Sequence, residues 1–106
     1  MARYCMVMTT FETREQAQPV AEGAVKAGLA ACVQQMEIAS TYIWKGNMST
    51  DPEMLAVFKT RDDLYDELAE FIGANHPYEV PEIIKVPVED GSASYLSWID
   101  EMTKGE

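Results

Sequence analysis

Apolar positions open the chain as a nearly unbroken run, Tyr4-Cys5-Met6-Val7-Met8-Thr9, which predicts a short strand covered on at least one face. The period then changes. Thr13-Arg14-Glu15-Gln16 fits a capping box, and Ala17, Val20, Ala21, Ala24 and Val25 follow at helical spacing up to Gly28, a candidate for the left-handed residue that ends a helix. Pro19 removes one backbone donor, so this helix either starts near Pro19 or has an irregular first turn. Residues 30–46 turn β-branched and aromatic toward Thr41-Tyr42-Ile43-Trp44 and predict a strand, long enough to expect a bulge or bend near Met36-Glu37. Gly46-Asn47 through Asp51-Pro52 predicts a turn region. Glu53 to Lys59 alternates, with Met54, Ala56 and Phe58 on one side, and completes a long hairpin. Thr60 is the expected N-cap of a second helix with a Leu64, Leu68, Phe71, Ile72 stripe. Ile83 to Val88 predicts a fourth strand. Gly91-Ser92 opens a last helix with Tyr95, Leu96, Ile99 and Met102 expected to face inward.

The order β-α-β-β-α-β-α predicts an α+β fold: the ferredoxin-like sandwich, a four-stranded antiparallel sheet with helices on one face and an extra C-terminal helix. Residues 1–106 are expected to form a single domain. One sheet face is left uncovered and the hairpin is too long to be paired within one domain. Exposed edges and apolar faces are usually covered, so copies of the chain are expected to cover each other. The alternative is a monomer with a twisted, solvated hairpin tip.

Hydrophobic content of 47% and charged content of 25% fit a soluble globular protein. Eight basic and eighteen acidic residues give a net charge of −10, which opposes nucleic acid and anionic membranes and favours cations or a basic partner. Tyr4 to Met8 is too short for a signal-peptide core or a transmembrane helix, so a cytosolic location is expected. Cys5 and Cys32 form no disulfide framework and should both be reduced there.

The most distinctive stretch is His76-Pro77-Tyr78-Glu79-Val80-Pro81-Glu82, which holds the only histidine and two of the five prolines. Proline fixes φ and biases the preceding residue toward extended backbone, so this is a stiff rail between two elements. It presents His76, Tyr78, Glu79 and Glu82, or it is a plain structural connection.

Taken together, Leu29-Ala30-Ala31-Cys32, Ser40-Thr41-Tyr42-Ile43-Trp44-x-Gly46, Glu53, Lys59-Thr60, His76 to Glu82 and Tyr95-Leu96-x-Trp98-Ile99 resemble the CutA family of divalent-cation tolerance proteins. The resemblance runs from Met8 to Glu101, with departures at Gln34, Ile43 and Lys45. It implies a ferredoxin-like subunit in a homotrimer similar to those of the PII signalling proteins, cytosolic and linked to tolerance of copper and other divalent metals. It implies an inter-subunit pocket lined by Cys32, Trp44, Lys59, His76, Tyr78, Glu79 and Trp98.

Three chemistries follow. A soft metal ion wants thiolate, thioether and imidazole, so Cys32 and His76 are the candidate ligands of a weak divalent-metal site, Cu²⁺ favoured; the methionines and Cys5 could equally be core. No CxxC, HxxxH or paired-His spacing marks a preformed site. Lys59 before a helix starting at Thr60 suggests an anion site, with His76, Tyr78 and Glu79 converging on it across a subunit boundary; a structural pair with Glu53 or Glu79 is the alternative. Catalysis by Cys32 with His76, oriented by Glu79, is the third and least supported, and no catalytic residues are assigned. No organic cofactor is expected.

Overall fold

A computed structural model describes residues 2–105. Strands β1 (Tyr4–Phe11), β2 (Cys32–Trp44), β3 (Asn47–Arg61) and β4 (Ile84–Val88) form one antiparallel sheet in the order β2-β3-β1-β4. Helices α1 (Arg14–Lys26) and α2 (Tyr65–Asn75) follow β1 and β3, and α3 (Ala93–Met102) ends the chain. The expected ferredoxin-like order with an added helix is thus observed.

Strand alternation sorts the residues onto two faces. Cys5, Val7 and Phe11 of β1 and Met54, Ala56 and Phe58 of β3 pack against Ala17, Val20 and Ala24 of α1 and Leu68 and Ile72 of α2, all buried. On the opposite face, α3 covers one end, where Ile99 packs on Tyr4 and Ala31. The Tyr4 hydroxyl donates to Asp100 Oδ2 at 2.7 Å. The rest of that face, with Met6, Met8, Leu55, Val57 and Val86, is only half-buried, and Met36 and Ile84 are exposed.

Thr13 caps α1, accepting from the Gln16 amide at 3.3 Å, while the Gln16 side chain accepts from the Glu12 amide at 2.9 Å. The helix therefore begins at Arg14 and carries Pro19 inside it. Gly28 has φ +72°, and a Cβ there would stand 2.9 Å from Lys104 Cβ. Its carbonyl accepts from the Lys104 amide at 2.8 Å, tying the C-terminal segment to the end of α1.

Several expectations are corrected. β2 and β3 pair in one unbroken register from Cys32 opposite Lys59 to Trp44 opposite Asn47, without a bulge at Met36-Glu37. The turn is only Lys45-Gly46, with φ +51° and +82°, the two-residue geometry whose twist suits a hairpin. Asn47 to Asp51, expected as turn, is strand, and Pro52 is tolerated there because the outer edge of the arm is unpaired. Seven pairs, Ile38–Glu53 to Trp44–Asn47, run past the end of β1 and project as a two-stranded arm about 24 Å long. Thr60 is not a helix cap. It lies in β3, fully buried, and its hydroxyl donates to the Leu29 carbonyl at 2.7 Å. A 3₁₀ turn, Asp62–Leu64, intervenes before α2. Tyr95 and Met102 are exposed rather than inward.

Candidate functional site

β4 pairs with β1 only from Tyr4 to Met8, leaving the Thr9–Phe11 edge without a strand partner. The end of α2 delivers His76 to this gap. His76 Nε2 lies 2.9 Å from the Thr10 carbonyl oxygen and 3.1 Å from Thr9 Oγ1, and its ring stacks on Phe11 with centroids 4.3 Å apart. The Tyr78 amide donates to Nδ1 at 3.1 Å, and the Tyr78 hydroxyl donates to Glu53 Oε2 at 3.0 Å. The stiff rail is therefore a clasp. It closes an open strand edge and grips the arm at Glu53, the first β3 residue beyond the β1 pairing. Burial lowers the imidazole pKa, outweighing the Thr10 carbonyl and Glu53, which raise it. Burial and the Glu53 carboxylate raise the Tyr78 phenol pKa, so it stays a donor.

A second group sits at the α3 end of the open face. Lys59 stands opposite Met6 on one side and Cys32 on the other, forming the row Met6-Lys59-Cys32. Its Nζ lies 5.5 Å from the Tyr95 ring centre, and Tyr95 packs on Trp98 at 5.5 Å. Among the described residues Lys59 forms no salt bridge. Neither expected carboxylate is its partner, since Glu53 binds Tyr78 about 20 Å further along β3. Trp44 is exposed at the arm tip with the Lys45 ammonium 5.7 Å from its ring centre, and Glu79 is exposed on the rail.

The sequence candidates thus fall into separate places within one chain: His76 with Tyr78, Lys59 with Trp98 through Tyr95, and Trp44 alone. Cys32 shares the open face with Lys59, whereas His76 packs on Phe11 of the helix-covered core, so the two do not meet within one chain. Both His76 nitrogens also have partners within the chain. The ammonium between Met6 and Cys32 repels a cation from that row. Cys5 is buried on the other face, its thiol pushed up to about 11 by burial. Among the described residues no group of three or more His, Cys, Asp or Glu is placed to hold a metal ion. The N-terminal end of α2 carries Asp62, Asp63, Asp66 and Glu67, a field that opposes the expected anion site. Sequence reading missed Thr9, Thr10 and Phe11 as the seat of His76 and Glu53 as the partner of Tyr78. The carbonyl of Thr10 leaves no sequence signal, and Glu53 stood out only as part of a motif.

Fold and clasp together define a ferredoxin-like chain with a partly covered sheet face and an arm held by a histidine-tyrosine rail. The family model of the CutA1 divalent ion tolerance protein matches residues 5–102, and the chain belongs to that family. It is 42% identical over 99 residues to the divalent-cation tolerance protein CutA of Pyrococcus horikoshii, covering 93% of this chain and 97% of the relative. It is 39% identical to the chloroplastic protein CutA 1 of Oryza sativa over 93% of this chain, but spans only 56% of that longer relative. The crystal structure of CutA1 from Oryza sativa superposes with a TM-score of 0.94 at 37% identity, covering 99% of this chain and 97% of that one. No helix among the described residues is long and apolar enough to cross a membrane.

Proposed function

We propose that the chain works as a cytosolic homotrimer that binds divalent cations weakly, copper(II) foremost, and contributes to tolerance of them. The observation that carries the assembly is the half-buried apolar face of Met6, Met8, Leu55, Val57 and Val86 beside a projecting arm, surface that a monomer would leave wet. The name of the family supports the link to divalent ions. The net charge of −10 supports cation attraction, of the weak and dispersed kind expected for sites on the surface or between copies. Light scattering tests the assembly; the expected mass is that of three chains, 3 × 11.9 ≈ 36 kDa, and a mass of 11.9 kDa overturns it. Copper(II) calorimetry on the intact protein and on Cys32→Ser tests the metal. Heat in the first that weakens in the second places Cys32 among the ligands. Equal heats exclude Cys32, and no heat in either overturns copper binding.

A second reading is a sensing trimer that takes a small planar anion between subunits. The Lys59 ammonium beside the stacked Tyr95 and Trp98 favours it, since that set offers charge and π-faces together. Thermal shift against nucleotides and aromatic carboxylates checks it, because a ligand bound only by the folded state raises Tm. Shifts that vanish in Lys59→Met support it, and a flat screen removes it.

A further inference from the structure

The partners of His76 decide where its proton sits. Thr10 offers Nε2 a carbonyl oxygen, which can only accept, and Tyr78 offers Nδ1 an amide hydrogen, which can only be donated. The ring is therefore the neutral tautomer with its hydrogen on Nε2 and its lone pair on Nδ1. The ring lies flat on buried Phe11, 10° from coplanar, which sets its plane. A second proton would arrive at Nδ1 and meet the Tyr78 amide, setting N–H against N–H. The amide loses its acceptor, and it belongs to the residue whose hydroxyl holds Glu53.

The groups around the ring set the direction of the response. Glu53 of β3 is the charged group acting on it, and it favours the imidazolium. β1 presents Thr9, Thr10 and Phe11, none of which titrates; Glu12, next along, acts on the Tyr78 phenol. From the rail itself comes that phenol, tilted against the ring at 4.8 Å between centroids. Tyr42 of β2 lies beyond, bound to Asp51.

We propose that His76 is an acid-released clasp on the hairpin arm: uptake of one proton at Nδ1 ejects the Tyr78 amide, and the Tyr78 hydroxyl leaves Glu53 with it. The folded chain favours the neutral ring, so the clasp is complete above the ordinary histidine value of 6.5 and weakens as pH falls below it. Release frees the base of the arm while the helix-covered core, which contains no histidine, stays packed. The proposal stands apart from the metal reading, since both ring nitrogens are engaged within the chain.

Nitrogen-15 NMR with amide exchange on the full chain tests it, with exchange corrected to protection factors. At pH 7.5 the imidazole should give the Nε2–H tautomer pattern. Between pH 7.5 and 5 the protection of the Tyr78 amide should fall about tenfold per pH unit as pH drops toward the midpoint of ring protonation and level off below it, as release by one proton requires. Amides of residues 48–51 should follow, and those of Val7 and Phe58 should not. Tyr78→Phe keeps the amide bond but cuts the link to Glu53, so the residue-78 amide should still respond while the arm no longer follows. His76→Gln should abolish the pH response; should it fail to fold, the coincidence of the two wild-type titrations decides. An Nδ1–H tautomer, a Tyr78 amide indifferent to ring protonation, an arm response unchanged in Tyr78→Phe, or simultaneous loss at Val7 and Phe58 would each overturn the clasp.

Discussion

On the helix-covered face of the sheet, Val7 and Phe58 sit opposite each other and are fully buried. One residue along the same strands, Met8 and Val57 also sit opposite each other, yet they are only half-buried on the other face. The side chains are equally apolar. What differs is the cover: α1 and α2 close one face, and α3 closes only one end of the other. Apolar pattern therefore reports that a face is meant to be covered, and topology decides whether this chain or another copy does the covering. The long arm repeats the contrast, since among the described residues its seven pairs past β1 have no third strand beside them.

The largest effect should come from placing a charge on the open face. Met8→Asp should convert the assembly to single chains by light scattering while leaving the helical circular dichroism intact, because a carboxylate there meets water in one chain but apolar surface in an assembly. An unchanged mass would mean that copies do not meet on this face. Within the chain, Phe58→Ala should cost about 3–5 kcal/mol in urea unfolding, and Val7→Ala about 2–3 kcal/mol. Val57→Ala removes the same two methyl groups as Val7→Ala. In dissociated chains, such as the Met8→Asp background, it should cost less than half as much. Equal losses there would mean that the open face is packed within one chain after all.

The glycines extend the same comparison from cover to backbone. Gly28 and Gly46 both have positive φ, but a Cβ at Gly28 would press on Lys104 whereas one at Gly46 meets nothing within 4 Å. Gly28→Ala should therefore cost about 2–4 kcal/mol, conformational strain plus overpacking, and loosen the C-terminal segment. Gly46→Ala should cost about 1 kcal/mol, the strain alone. Melting curves of the two variants give the ratio, and a larger loss at Gly46 would contradict the open turn.

Legibility in the sequence followed the same division. Elements with one face on the core announced themselves: β1 by its apolar run, α1 by Thr13 and Gln16, α2 by Leu68 and Ile72. The β3 half of the arm did not, because Ser49, Thr50, Asp51 and Pro52 bury neither face in a core and so have no alternation to show. Thr60 was misread because a threonine before two aspartates looks like a cap, while its hydroxyl in fact serves the Leu29 carbonyl from another part of the chain. Cys32 and His76 looked like a pair by residue type. Their separation onto opposite faces comes from strand parity and from α2 delivering His76 to the far edge of β1, neither of which local spacing encodes. The rigidity of the rail was legible from its prolines; its grip on Glu53 was not.

The smallest effect tests the arm tip, where two terms of similar size compete. Lys45 adopts φ +51°, in a turn that favours asparagine at that place. Lys45→Asn should recover about 0.5–1 kcal/mol of backbone strain. It also removes the ammonium over the Trp44 ring, a contact worth about 0.5 kcal/mol on an exposed surface. The expected net is a gain of about 0–0.5 kcal/mol, seen as increased amide protection around Trp44 and Asn47 with little change in the global melting curve. Lys45→Gly separates the terms, since it relieves the strain and loses the same contact without the preference of asparagine for the turn. A clear loss of arm protection in both variants would show that the lysine-tryptophan contact, and not the turn backbone, holds the tip.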